Sequence, residues 1–227
     1  MLAPETIDDA PAESGEEEFG PRQTDVLDVA LSLLVEGGDK GFTTARLARA
    51  ASCSKESLYK WFGDRDGLLA AMITYQASKV RVSVPPAVKR DATEYRRQLT
   101  GFARDLLTVL SGPTSLALNR LAIGEAGHAD ARLGRLMMER GRHPIEQRAV
   151  RLLEAGRTAG LLAYDDRQAA FNTLYGLIVG DLHVRLLLGE APSLLSSQAD
   201  IDLQARRAID QFWRLHAAAE NPKTNNT

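Results

Sequence analysis

Apolar residues recur every three to four positions along most of this 227-residue chain, a spacing typical of helices that pack one face against a core. The first such segment, Arg22 to Glu36, is followed by Gly37 and Gly38, which tolerate the left-handed backbone of a helix end. Alternating runs of Val, Ile and Thr that would indicate strands are missing from the sequence. The pattern therefore predicts an all-α protein.

Two short helices joined by a tight turn are predicted between Thr43 and Phe62. Thr43 and Ser54 are residue types that cap helix N-termini well. In the second helix, Leu58 and Trp61 share one face with Phe62, and the opposite side carries basic, aromatic and hydroxyl groups. A short helix with two such faces fits the major groove of DNA, so we interpret this stretch as a helix-turn-helix.

A longer helix is predicted to follow, with Asp64 as its N-cap. It is expected to run to residue 84 and to be stopped by Pro85 and Pro86. Residues 22–84 thus form a predicted DNA-binding domain of three short helices and one connecting helix.

A larger helical domain is predicted over residues 85–220, with a frayed polar tail at 221–227. Asp130 is expected to cap a short helix that ends at Met138, and a separate helix is expected from about Pro144 to Gly160. Earlier periodic segments in this domain are Leu99 to Leu110 and Leu116 to Ala126.

The last two helices of this domain are unusually apolar. Segment 166–188 is apolar around almost its whole circumference, and the final helix, about 201–219, carries an apolar stripe. Gly176 and Gly180 lie four residues apart and would let another helix approach closely. Large exposed apolar patches usually mark interfaces, so we expect a homodimer held by a four-helix bundle. The expected interface residues are Leu174, Ile178, Leu182, Arg185, Ile209, Phe212 and Trp213.

Charge is distributed unevenly along the chain. The formal net charge is −2, yet residues 1–21 hold seven carboxylates and no Lys or Arg. Residues 40–60 instead contain five basic residues and one acidic residue, and local positive charge is what contact with phosphates requires. We interpret residues 1–21 as a disordered acidic tail. A sharper hypothesis is that this tail competes with DNA phosphates for the basic helices.

The remaining composition narrows the class of protein. No apolar run reaches about 18 residues, so we expect no membrane span, and the N-terminus lacks the pattern of a secretory signal. The single cysteine, Cys53, cannot form an intrachain disulfide, which favours a cytoplasmic location. The four histidines have no metal-ligand spacing, so we expect no metal and no cofactor.

The motifs resemble a known family of regulators. The runs VLDVALSLL at 26–34, F-T-T-x-x-L-A-x-A-A at 42–51 and S-K-x-S-L-Y-x-W-F at 54–62, with Leu68 and Leu69, resemble the N-terminal domain of TetR/AcrR-type transcriptional regulators. GDLHVRLLLGE at 180–190 is similar to the C-terminal domain of AefR-like members. This resemblance implies an all-α homodimer with a DNA-binding domain and a larger domain that holds an inducer. In such repressors the inducer reorients the fourth helix and releases the DNA.

The resemblance also implies DNA contacts. Thr43 and Thr44 would meet DNA at the start of helix two, and the recognition helix would place Lys55 and Ser57 near base edges. The complete expected set is Thr43, Thr44, Ser54, Lys55, Glu56, Ser57, Tyr59, Lys60 and Arg65.

Two positions depart from the family pattern. Ser52 stands where family turns often have Gly, so it must accept a strained backbone or the turn must differ. Glu56 stands where a small residue is usual; its carboxylate would repel phosphate unless it accepts a hydrogen bond from a cytosine amino group.

An inducer site is expected between residues 99 and 183. Ligand pockets are mostly apolar with a few convergent polar groups, although each candidate alone is also explained by a core, surface or interface position. The candidates are Phe102, Asn119, Arg120, His128, Met137, Phe171, Asn172 and Tyr175.

The predicted function is a sequence-specific, ligand-released repressor that acts as a homodimer on a palindromic operator. Two alternatives remain open: an activator of the same fold, and a helical adaptor whose basic helices bind an acidic protein. An enzyme is not expected, because the sequence has no G-x-S-x-G elbow, phosphate-binding loop, G-x-G-x-x-G after a strand, or H-E-x-x-H motif.

Overall fold

The computed structural model describes most of the chain, in residues 19–82, 91–127, 131–190, 195 and 197–219. Within this part all regular structure is helical, apart from one isolated antiparallel bridge between Leu162 and Ala217. The prediction of an all-α protein is therefore confirmed. Several predicted features lie outside the described residues: nearly all of the acidic tail, the stop at Pro85 and Pro86, the Asp130 cap, and residues 221–227.

Four helices build the N-terminal part: α1 (Pro21–Gly41), α2 (Thr44–Ala50), α3 (Lys55–Phe62) and α4 (Arg65–Ser78). The side chains of Thr43, Ser54 and Asp64 each accept a hydrogen bond from a backbone N–H in the first turn of the following helix. These three predicted N-caps are therefore confirmed. Helix α1 is kinked at Gly38, which has φ 55° and ψ −157°, close to the predicted helix end.

The C-terminal part begins with α5 (Ala92–Ser111), α6 (Pro113–Glu125) and α7 (Arg132–Leu136). A π-helical turn, Met137–Arg142, which we call the π segment, joins α7 to α8 (His143–Thr158). The chain continues as α9 (Arg167–Val179), α10 (Leu182–Leu187) and α11 (Gln198–His216).

Three predicted helix boundaries are wrong. Separate helices before and after Pro144 were expected, but the chain stays helical through the π segment. A π turn spaces its hydrogen bonds one residue wider than an α turn, so the missing N–H of the proline is accommodated without a break. Segment 166–188 is divided, because Gly180 adopts φ 50° and ψ −135° and ends α9.

The third correction concerns α4, which ends at Ser78 rather than at residue 84. The guanidinium of Arg148, on α8, donates hydrogen bonds to the carbonyl oxygens of Ala77 at 2.6 Å and Val80 at 2.8 Å. Because these carbonyls are satisfied from another helix, the chain can leave the helix and bury Val80.

Two hydrophobic cores organise the molecule. One joins α1–α4 and extends to Leu118 and Ala122 of α6 and Leu133 of α7. The other joins α5, α8, α9 and α11, and α11 packs against both α5 and α9. Helix α6 also packs along α1, so the N-terminal helices rest directly on the C-terminal ones.

No single helix in the described ranges is long and apolar enough to cross a membrane, although α5 and α6, bent by 61°, together pass a test of length and composition.

Candidate DNA interface and ligand cavity

The recognition helix α3 is fixed by its N-cap. The hydroxyl of Ser54 accepts a hydrogen bond from the backbone N–H of Ser57 at 2.9 Å, and the two hydroxyl oxygens are also 2.9 Å apart. Both hydroxyl groups are thus engaged in the cap. This cap sets where the helix begins and therefore which side chains reach its outer face.

Helix α3 has one buried and one exposed face. Leu58 and Phe62 are buried in the N-terminal core, and the half-buried Trp61 packs edge-on against Phe62 with ring centroids 6.2 Å apart. The exposed face carries a hydroxyl-bearing ring, two amines and one carboxylate. These side chains are Lys55, Glu56, Tyr59 and Lys60.

The turn before α3 is stabilised by a side chain that lies outside the helix-turn-helix. Ser52 has φ 49°, the left-handed conformation that its position required. The guanidinium of Arg22, at the start of α1, donates hydrogen bonds to the carbonyl oxygens of Ala51 at 2.7 Å and Ser52 at 3.1 Å. The N-terminus of α1 therefore lies beside the turn that orients α3.

The remaining predicted DNA-contact residues flank α2 and α4. Thr43 is exposed and caps α2, Thr44 is half-buried, and Arg65 is exposed in the first turn of α4. The Asp64 carboxylate accepts a hydrogen bond from the backbone N–H of Gly67 at 2.8 Å. This bond holds the pKa of Asp64 below its ordinary value.

Helix α4 is attached to the C-terminal helices along its whole length. Near its N-terminus, Asp66 forms an ion pair of 2.6 Å with Arg132 of α7. In its middle, Gly141 of the π segment packs so closely that a Cβ atom there would lie 3.3 Å from Cγ2 of Ile73. At its C-terminus, Arg148 binds the last carbonyl groups. Helix α4 is therefore in direct contact with α7, the π segment and α8.

A cavity of about 180 Å³ lies where α4 meets the C-terminal helices. Helix α4 contributes Ile73, Gln76 and Ala77 to its wall. The other lining residues come from α5, α6, the π segment, α8, α9 and α10: Leu106, Val109, Leu110, Ser115, Leu118, Asn119, Met137, Met138, Gly141, Arg142, Ile145, Phe171, Tyr175 and His183.

The cavity wall includes four of the eight predicted ligand-contact residues: Asn119, Met137, Phe171 and Tyr175. Phe102 is buried in the C-terminal core and is not part of the cavity wall. Arg120 and Asn172 are exposed side chains outside the wall, and Arg120 donates to the last carbonyls of α10. His128 lies outside the described residues.

Sequence reasoning missed four polar residues of the wall: Gln76, Ser115, Arg142 and His183. Gln76 was detectable, because it is a polar residue at a core-facing position of α4, between Ile73 and Ala77. Burial lowers the pKa of His183, so its ring is neutral near pH 7. Burial raises the pKa of Tyr175, and the neighbouring Arg142 partly opposes that effect.

Four of the seven predicted dimer residues belong to the core of a single chain instead. Leu174, Ile178, Ile209 and Phe212 are at most 1% exposed, because the apolar faces of α9 and α11 turn towards each other and towards α5. Three others, Leu182, Arg185 and Trp213, are half-buried.

Comparisons with known proteins agree with this architecture. Residues 26–72 match the profile of bacterial regulatory proteins of the tetR family, and residues 97–218 match the profile of the AefR-like transcriptional repressor C-terminal domain. These ranges fall within the predicted domains 22–84 and 85–220. No curated protein matches the chain.

Solved structures include similar proteins. A TetR transcriptional regulator from Agrobacterium tumefaciens is 56% identical, with a TM-score of 0.75, over 88% of this chain and 96% of that one. The Flavonoid-responsive Regulator FrrA is 25% identical, with a TM-score of 0.61, over 86% of this chain and 97% of that one. A TetR family transcriptional regulator from Pseudomonas syringae pv. tomato shares the fold, with 20% identity, a TM-score of 0.59 and coverage of 88% and 99%.

A capped helix-turn-helix that rests on a larger helical domain defines a DNA-binding transcriptional regulator. The chain belongs to the TetR family of these regulators, and its C-terminal domain is of the AefR-like type. The resemblance found in the sequence is thereby confirmed.

Proposed function

We propose that this protein is a homodimeric repressor that leaves a palindromic operator when a small molecule enters the cavity. One observation carries the proposal: the cavity wall includes Ile73, Gln76 and Ala77 of α4, and α4 packs against α3. A ligand in the cavity therefore touches the helix that supports the recognition helix. A protein that acts on chromosomal DNA in this way would work in the cytoplasm.

The exposed face of α3 is the proposed reading surface. Lys55 and Ser57 are assigned to base edges, while Tyr59 and Lys60 are assigned to phosphates, because amines and hydroxyls are the usual phosphate ligands. Around this face, the residues assigned to supporting contacts are Thr43, Thr44, Ser54 and Arg65, and Glu56 either accepts a hydrogen bond from a cytosine or repels phosphate.

Release requires that ligand and DNA favour different positions of α4. Allosteric coupling between two sites typically amounts to about 1–3 kcal/mol, or roughly 5- to 150-fold in affinity. The three attachments of α4, through Asp66, Ile73 and the Arg148 cap, supply the path from the cavity to the recognition helix. The name of FrrA describes a flavonoid-responsive regulator, which supports a response to small molecules in this chain.

A dimer follows from the geometry of operator reading. One recognition helix reads few base pairs, whereas two related by a two-fold axis meet successive major grooves about 34 Å apart. We assign the interface to the outer faces of α9 and α11. Gly176 is exposed on α9, and a Cβ atom there would have no neighbour within 4 Å, so a partner helix could approach closely.

The variant Gly176→Arg tests this dimer. The long side chain fits a monomer but blocks a close approach, so the mass measured by light scattering should fall from dimer to monomer at micromolar concentration. Gly124→Arg is the matched control, since Gly124 is exposed on α6 with the same open surroundings. A dimer in both variants would place the interface elsewhere.

The central experiment selects bound sites from random duplex DNA with the full-length protein. The expected result is a palindromic sequence whose half-sites are about one helical turn apart. Binding without sequence preference would instead favour the adaptor. Transcription from a promoter that carries the selected site distinguishes a repressor from an activator, because a repressor lowers transcription and an activator raises transcription.

A further inference from the structure

The charge composition of the cavity wall is one-sided. None of the 17 lining residues is Asp or Glu, and one, Arg142, carries a permanent charge. Most of the others are aliphatic, aromatic or methionine side chains. A half-buried positive group in a mostly apolar cavity without carboxylates favours a ligand with a single negative charge, since removing a charge from water is costly unless it is paired.

Arg142 packs against two aromatic rings of the cavity wall. Its guanidinium lies over the rings of Tyr175, at 4.3 Å from the centroid, and Phe171, at 5.7 Å. No carboxylate of the described residues lies within the 4.0 Å that defines an ion pair. Arginines of the C-terminal helices that do have carboxylate partners are Arg96, Arg97, Arg104, Arg132, Arg157 and Arg185.

The volume of the cavity and its aromatic wall fit a ligand that contains a single aromatic ring. Its volume of about 180 Å³ slightly exceeds the roughly 150 Å³ of an engineered cavity that binds benzene. The rings of Phe171 and Tyr175, with centroids 5.9 Å apart, provide an aromatic wall, and such rings favour offset or edge contacts with a further ring.

Gln76 adds a hydrogen-bond donor on the opposite helix. It is 7% exposed and lines the cavity from α4, and its side-chain amide nitrogen can donate two hydrogen bonds. A carboxylate has two oxygens and accepts several hydrogen bonds, so it can bind the guanidinium and the amide together.

We propose that the cavity binds a small aromatic monocarboxylate, with its ring against Phe171 and Tyr175 and its carboxylate shared between Arg142 and Gln76. This inference rests on the proposed function, because it names the ligand class of the same cavity. In this arrangement the carboxylate of the ligand ties the π segment to α4, the helix that packs against the recognition helix. The planar guanidinium matches a carboxylate in a two-point geometry, which gives the site its selectivity for acids.

Benzoate and benzamide are the probes, because they have the same ring and nearly the same shape but differ in charge. Each is titrated calorimetrically into the full-length protein without DNA. Benzoate should bind at least ten-fold more tightly than benzamide. Equal affinities, tighter binding of benzamide, or no heat from benzoate at millimolar concentration would overturn the proposal.

Two variants locate the acid-binding group. Arg142→Gln should weaken benzoate binding at least ten-fold and benzamide binding less than about three-fold, since only benzoate loses a hydrogen bond between two charged groups. Arg140→Gln, an exposed change on the same π segment and outside the wall, should leave both affinities unchanged. If Arg142→Gln does not fold by circular dichroism, the comparison of the two probes on the unaltered protein decides.

The same preparations separate this inference from the proposed function. Sequence-specific DNA binding without any preference for benzoate overturns the ligand class alone. Selective benzoate binding with no sequence-specific DNA binding overturns the repressor and leaves the ligand class standing.

Discussion

Ser52 stores conformational strain at the turn of the helix-turn-helix. It is the only non-glycine residue of the described part with a left-handed backbone, at φ 49°. An L-residue with a Cβ atom is about 1–2 kcal/mol less stable there than in the right-handed region. The strain persists because Arg22 donates hydrogen bonds to the carbonyl oxygens of the two peptide groups that flank Ser52.

Ser52→Gly should therefore stabilise the protein by roughly 0.5–1 kcal/mol, because glycine adopts positive φ without the Cβ penalty. The free energy of unfolding in urea measures the effect. Ala45→Gly is the control, since Ala45 is an exposed residue inside α2 where glycine should destabilise by a similar amount. A loss of stability in both variants would show that Ser52 is not strained.

Glu56 is the carboxylate on the exposed face of α3. If it accepts a hydrogen bond from a cytosine, Glu56→Ala should lose about 1–3 kcal/mol of discrimination at one base pair of the operator. Affinities for operators with each base at that position measure this loss. A uniform gain of affinity for all sequences would mean that Glu56 only repels phosphate.

At the residue scale, local chemistry was predictable and long-range contacts were not. The caps at Thr43, Ser54 and Asp64 follow from one side chain and the next three residues, so the sequence contains all the information they need. Arg142 gave no such signal, because its place in the cavity depends on rings about 30 residues away in α9.

Helix α4 is the element on which the proposed mechanism depends. Its predicted end at residue 84 was wrong because the guanidinium that satisfies its last carbonyls comes from α8, about 70 residues later. The residues close to the end of a helix give no sign of a capping side chain that comes from a helix far along the chain. The same contact makes α4 responsive to movement of α8.

Arg148→Met should leave the carbonyls of Ala77 and Val80 without this donor. The free energy of unfolding should fall by about 1.5–2 kcal/mol, the lower part of the range for hydrogen bonds to charged groups, because the site is partly exposed. The variant should also weaken ligand-induced release of DNA. Arg151→Met, an exposed change on the same helix, should alter stability by less than about 0.5 kcal/mol. Calorimetric unfolding and operator binding with and without ligand measure both effects; equal changes in the two variants would contradict the cap.

For the molecule as a whole, the last carboxylates of the acidic tail directly precede a residue that packs against the N-terminal core. That residue is Phe19, and Arg22, three residues later, binds the turn before α3. The carboxylates are those of Glu16, Glu17 and Glu18.

Deletion of residues 2–18 should therefore tighten operator binding about three- to ten-fold at about 50 mM salt, and much less at about 500 mM, where charges are screened over a few ångströms. Fluorescence anisotropy at both concentrations measures the difference. A full-length tail with its seven carboxylates changed to amides should behave like the deletion. If that neutral tail behaves like the original tail, the effect is not electrostatic.

The sequence alone did not predict which apolar residues of α9 and α11 belong to the core of one chain and which could contact a partner. The apolar stripes of α9 and α11 were correctly recognised, but periodicity does not say whether a stripe meets its own chain or a partner. Leu174 and Phe212 meet their own chain. The exposed side of α9 includes Gly176, and that of α11 includes Leu203 and Leu215, so neither face stands out by periodicity alone.

The π segment has a consequence for comparing relatives of this regulator. A π turn contains about one residue more than an α turn, so everything after it is rotated by roughly 100° relative to an uninterrupted α-helix. A relative that lacks this turn needs a one-residue gap between Met137 and Arg142, and an ungapped alignment would match cavity residues of one protein with surface residues of the other. A single inserted or deleted codon here thus changes which side chains face the ligand while the helices on either side keep their sequences.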